Sequence, residues 1–232
     1  ALGLIWWKRS QPEEVSEPID AKELLKINFV MRKEADKEIV ELIKEHRKER
    51  RKHLLDIKKY IEECRRFEDS FFNVIESAEK KVLKQEGISK SRYDKSVKAS
   101  LESENPTPAD QALKQLASHS MALFLRGMPP NKNITVQEAK DMIVCRVEFF
   151  KTLCLGYIKQ LPADFPPEQA QFFLDNLAND FTYERTKLEY EDLAALYNAS
   201  TKLVFAITEK EAGGNKNIIT NVLYGLQYPT PQ

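Results

Sequence analysis

Glycine is scarce in this sequence, with seven in 232 residues against a usual share of about 7%. Charged residues make up 31%, above the average of roughly 25%. Together these disfavour turn-rich β architecture and favour long helices. An excess of charge of one sign is also missing, because 36 Lys and Arg balance 36 Asp and Glu. Dedicated nucleic-acid-binding domains are usually basic overall, so that class is disfavoured, although a local basic patch stays open. Cys64, Cys145 and Cys154 are the only cysteines, and they form no CxxC pair. Disulfide frameworks are even-numbered and dense. The three therefore read as reduced core thiols in an intracellular, reducing compartment.

Motifs that carry chemistry are absent as well. There is no glycine-rich phosphate loop, EF-hand loop or nucleophile elbow. His46 and His53 lie seven apart with Glu49 between them. That array is neither HExxH nor the Glu/ExxH set of di-iron bundles, and neighbouring arginines would repel a cation. His119, between Ser118 and Ser120, has no legible base-and-acid set. The sequence thus assigns no catalytic residue, no cofactor and no metal ligand, and the chain reads as a non-enzyme.

What is present is a charged helical stretch from Ala21 to Gln85 without Gly or Pro. Asp20 suits its N-cap, and Gly87 the left-handed position after its end. A heptad seam runs Ile43, His46, Arg50, His53, Ile57, Tyr60, Cys64, Phe67, Phe71, Val74, Ala78. Its second half is apolar, which predicts burial after Leu54. Its first half carries His46, Arg50 and His53, which predicts a segment around His46 to Lys52 that projects or meets a polar partner.

That first half is also basic, with eight Lys/Arg between Lys44 and Lys59. Like charges recur at i, i+4, as in Lys44–Lys48, Arg47–Arg51 and Lys48–Lys52, at a small cost each. Such a cost points to an anionic partner contacting Lys44, Arg47, Lys48, Arg50, Arg51 and Lys52. Three sources are open: acidic residues of the chain itself (Asp180, Glu184, Glu189, Glu191, Asp192), a neighbouring subunit, or phosphate on lipid or nucleic acid. Nucleic acid is the weaker phosphate source, because aromatics do not interleave with the basic run.

The sequence begins Ala-Leu-Gly-Leu-Ile-Trp-Trp-Lys-Arg, without an initiator Met, which fits a processed, truncated or engineered start. As helix, this apolar stretch spans about 10 Å, far below the roughly 30 Å of a bilayer core. Leu4, Ile5, Trp6 and Trp7 followed by Lys8-Arg9 read as an anchor for a membrane surface or a partner. Residues 10–18 form an acidic, Pro-containing linker.

Further on, Ser89 caps a helix bearing Tyr93, Val97 and Leu101. Thr107-Pro108 starts another, running to about Arg126. Thr135-Val136-Gln137-Glu138 fits a capping box opening a helix to about Gln160. Within it Gly156 marks either a close helix crossing or a local cost. Glu168 to Glu211 is helical, with an interruption near Thr182 or Asn198, and Gly213-Gly214 stops it. Residues 217–228 form a docked tail or short helix.

The predicted fold is all-α: a bundle of about six helices with one very long N-terminal charged helix. The divisions are 1–19 (apolar end and linker), 20–87 (long helix), 88–214 (bundle) and 215–232 (tail). The expected function is that of a helical structural or accessory subunit of a membrane-associated assembly, contacting other protein subunits. An organellar, mitochondrial membrane is compatible. The alternative is a stand-alone module that binds an anionic lipid headgroup or nucleic acid through 44–59.

Overall fold

The computed structural model describes residues 17–116, 128–224 and 226. Every regular element among them is helical. The elements are α1 (Ala21–Arg51), α2 (Ile57–Gln85), α3 (Lys90–Leu101), α4 (described over 108–116), α5 (Val136–Glu148), a π-turn (Phe149–Leu153), α6 (Cys154–Ile158), α7 (Pro167–Thr186), α8 (Tyr190–Ala199), α9 (Thr201–Ala212) and α10 (Lys216–Leu223). This is more than the six or so expected. The all-α class stands.

The expected single helix over 20–87 is two helices. At the end of α1 the backbone tightens, with Lys52 N–H donating to Glu49 O and His53 N–H to Arg50 O. Asp56 then starts α2, its Oδ1 accepting from Lys59 N–H at 3.3 Å. No Gly or Pro marks the reversal. The heptad spacing hides it, because 50, 53 and 57 keep the same phase on both sides of the turn. His46 of α1 stacks on Phe67 of α2 at 4.4 Å, and Glu34 of α1 pairs with Lys81 of α2. Both pairings have the two helices running antiparallel.

The chain divides into two compact units, Ala1–Ala35 with Ile75–His119 and Asp36–Val74 with Ser120–Gln232. In the first, Leu24, Ile27 and Met31 of α1 bury against Val82 and Leu83 of α2, Tyr93 of α3 and Leu113 of α4. Asp20 caps α1 by accepting from Lys22 and Glu23 N–H. Gly87 takes φ 66° after α2, and Ile88 N–H returns to Leu83 O, the geometry that satisfies a helix's last carbonyls.

The second unit holds two cores. In one, Ile57, Tyr60 and Ile61 of α2 meet Phe149, Cys154, Phe173 and Leu177. In the other, Met142, Ile143 and Val147 of α5 meet α8, α9 and α10 through Leu193, Val204, Val222 and Leu223. The Thr135–Glu138 capping box forms as expected. α7 ends at Lys187, in left-handed conformation at φ 58°, and this break aims the next residues at α1. The tail is both helical and docked, as α10. Gly156 marks no crossing, since a Cβ there would meet nothing within 4 Å.

Candidate functional site

Three arginines of α1 sit one turn apart on one face: Arg47, Arg50 and Arg51. In the second unit that face meets Asp180 of α7 together with Glu189 and Glu191, which the Lys187 turn delivers. Arg50 grips Asp180 with two bonds, Nε to Oδ2 at 2.5 Å and Nη2 to Oδ1 at 3.1 Å. Arg51 shares Asp180 through Nε at 2.9 Å and forks onto Glu189 at 2.9 and 2.7 Å. Arg47 forks onto Glu191 at 2.9 and 2.5 Å. Tyr60 of α2 donates its hydroxyl to Asp180 Oδ2 at 2.7 Å. The Arg51 guanidinium also lies 3.6 Å from the centre of the Tyr183 ring. Three cations therefore meet three carboxylates in planar, paired hydrogen-bond geometry, the arrangement in which arginine recognises carboxylate best.

Burial sets the electrostatics. Asp180 is 0% exposed. Burial opposes its charge, but Arg50, Arg51 and the Tyr60 hydroxyl more than offset that and hold its pKa below the ordinary value. Burial likewise opposes the charge on Arg50, and Asp180 reverses the balance, so the guanidinium stays charged. Burial pushes the Tyr60 phenol well above its ordinary value. It also pushes the nearby Cys64 thiol up to about 12. Such a set fixes charge in place. None of its members is poised to give or take a proton near neutral pH.

Asp192 supports the arrangement from behind. It is buried, accepts from Glu189 N–H at 3.0 Å, and accepts from the backbone N–H groups of Asn131 and Lys132 at 2.7 and 3.1 Å. It thereby ties the entry to α8 to the segment before α5.

The sequence-derived contact residues thus divide. Arg47, Arg50 and Arg51 turn inward onto carboxylates of the chain. Two of the corrections to the sequence reading lie here: His46 and Arg50 are buried, so the segment from His46 does not project as a whole. The polar partner it meets is α7 and α8. Lys44, Lys48 and Lys52 remain exposed. Lys44 pairs with Glu41 at 2.8 Å and Lys52 with Glu49 at 2.6 Å. These lysines edge a groove of about 650 Å³ that Tyr183, Glu184 and Glu189 complete. A second groove, of about 840 Å³, is lined by Lys132, Glu138, Cys145, Arg185 and Asp192 among others. Leu4, Ile5, Trp6 and Trp7 lie outside the described residues, as does His119.

A second buried arginine escaped the sequence reading. Arg146 of α5, 1% exposed, donates Nη2 to Asp175 Oδ1 at 2.5 Å and Nε to Val222 O at 3.2 Å. It also bonds Asn179 Oδ1. It joins α5, α7 and α10. The signal was a lone Arg between Cys145 and Val147 on an otherwise apolar face.

No group of His, Cys, Asp and Glu among the described residues is arranged to hold a metal ion. No described helix is long and apolar enough to cross a membrane. Comparison with protein-family models, with curated proteins and with solved structures finds no match.

Proposed function

We propose that this chain is a non-catalytic helical subunit of a larger, membrane-associated protein assembly, acting through protein–protein contacts. The observation that carries this reading is the closure of the arginine–carboxylate centre. Its charged groups are matched to one another, and its geometry braces the α1–α2 turn region against α7 and α8. That is the construction of a stiff scaffold element. Phe29 of α1 and Phe72 of α2 are each more than half exposed. Exposed aromatics on long helices are the side chains a partner uses as anchors.

The test is the size of the native chain under gentle extraction. Migration with other polypeptides well above the monomer mass is expected, and F29E and F72E should release the chain while leaving its melting temperature unchanged. A stable monomer would sink the reading.

The exposed lysines favour one second reading, an anionic ligand held along Lys44, Lys48 and Lys52 at i, i+4, i+8. With the arginines neutralised inside, such binding would involve about three phosphates, so its salt dependence would be shallow. Affinity unchanged in K44A/K48A/K52A would remove it.

A further inference from the structure

The end of the second unit where α1 turns into α2 carries Leu55, which is 97% exposed. It is the most exposed large apolar side chain among the described residues. Its neighbour Leu54 is anchored. The Leu54 carbonyl accepts from the Tyr157 hydroxyl of α6 at 3.1 Å, and Leu54 packs on the core formed by α2 and α7. The turn is therefore held against α6, and Leu55 is presented outward on a fixed base. α6 adds Leu155 at 67% and Ile158 at 42% exposure, three residues apart on its outer face. Leu161 and Phe165, in the loop that follows, are only partly buried.

The charges around this end are mostly cationic. Lys52, Lys58, Lys59 and Lys159 are exposed, as is Asp164. Glu49 pairs with Lys52 and Asp56 with Lys59. Lys58 and Lys159 are left in excess over Asp164. Apolar side chains projecting from a rigid tip, with lysines around them, match the layering of a membrane surface. The leucines reach the boundary between headgroups and acyl chains, and the ammonium groups meet anionic headgroups. An apolar protein partner would not call for the basic rim.

We propose that the α1–α2 turn and α6 form a peripheral membrane contact, seating Leu55, Leu155 and Ile158 in an anionic leaflet. The contact rests on the reading of the chain as part of a membrane-associated assembly. It names a surface for that association separate from Leu4–Trp7.

The test is flotation of the full chain carrying W6S/W7S, so that the N-terminal segment does not dominate. Phosphatidylcholine–phosphatidylserine vesicles are compared with phosphatidylcholine alone. Binding to the anionic vesicles is expected. L55E should weaken it about ten-fold or more, the worth of one buried leucine. L155E/I158E should do the same. K58E/K59E should weaken it on anionic vesicles only. Because Leu55 is fully exposed, L55E keeps the fold, which circular dichroism verifies. Equal flotation of W6S/W7S with and without L55E overturns the proposal, as does no flotation at all. Loss of a co-purifying protein on L55E without any vesicle binding also overturns it, and assigns the patch to a protein partner. The assembly reading fails separately, by a monomeric native chain, whatever the vesicles show.

Discussion

Arg50 and Asp180, 130 residues apart, form a two-bond pair in the interior of the second unit, each almost completely removed from water. The Asp180 carboxylate accepts four bonds, two from Arg50, one from Arg51 and one from Tyr60. Removing one partner from such a pair leaves an uncompensated buried charge, whereas replacing the pair with apolar groups of similar volume can be nearly neutral.

Asp180→Ala is accordingly expected to cost about 3–5 kcal/mol in urea denaturation. R50M/D180L should recover much of that. Tyr60→Phe, which removes one neutral donor, should cost about 1 kcal/mol. A loss for Asp180→Ala no larger than that for Tyr60→Phe would show that the pair does not brace the fold.

Acid should destabilise the chain through His46 before it does so through Asp180. Burial chiefly, with Arg50 and Arg47 helping and Asp180 opposing, lowers the His46 pKa from 6.5 to about 3. The unfolded chain takes up this proton near its ordinary pKa, and the folded chain only near 3. The stability is therefore complete above the ordinary value and falls as pH drops between the two. One proton allows a slope of at most ~1.4 kcal/mol per pH unit. Asp180, with its folded pKa depressed, contributes stability above its ordinary value that is lost only as pH falls through the lower, folded one. His46→Gln should flatten the stability profile from about pH 6 to about pH 4. An unchanged slope there would place the acid sensitivity elsewhere.

Arg146 holds α10 through the Val222 carbonyl. Arg146→Met leaves Asp175 without its guanidinium and is expected to cost about 3 kcal/mol. Amide exchange should accelerate first in α10. Arg146→Lys should rescue little, because an ammonium cannot reach three acceptors in the planar geometry of a guanidinium. Full rescue by lysine would show that charge alone matters.

Gly156 is exposed and has free space around its missing Cβ. Gly156→Ala should raise stability by about 0.5–1 kcal/mol. Gly213, at φ 62°, should respond in the opposite sense, losing about 1 kcal/mol on substitution by Ala. Thermal melts of the two variants on either side of the parent chain would bear this out, and shifts of the same sign would contradict it.

Much of the local structure was legible because it depends on neighbours in sequence. The Asp20, Ser89 and Thr135 caps, the left-handed Gly87 and Gly213, and the amphipathic spacing of α5 are all written within a few residues. The turn at residues 52–56 was not, since a heptad that stays in phase looks the same for a straight helix and for a hairpin. Asp56 carried the only signal, one cap residue in a highly charged stretch.

The candidate site shows the same division. Sequence alone placed Arg47, Arg50 and Arg51 among repelling neighbours and named Asp180, Glu189 and Glu191 among the acids that could answer them. It could not choose between those acids and an outside anion, and it did not pick out Arg146 with Asp175. Local hydrogen bonding and hydrophobic period determined where helices begin, end and face inward. Only the tertiary structure decided which charges are spent inside and which stay outside. Coulomb attraction and desolvation depend on distance and burial, and chain order specifies neither for groups more than a hundred residues apart.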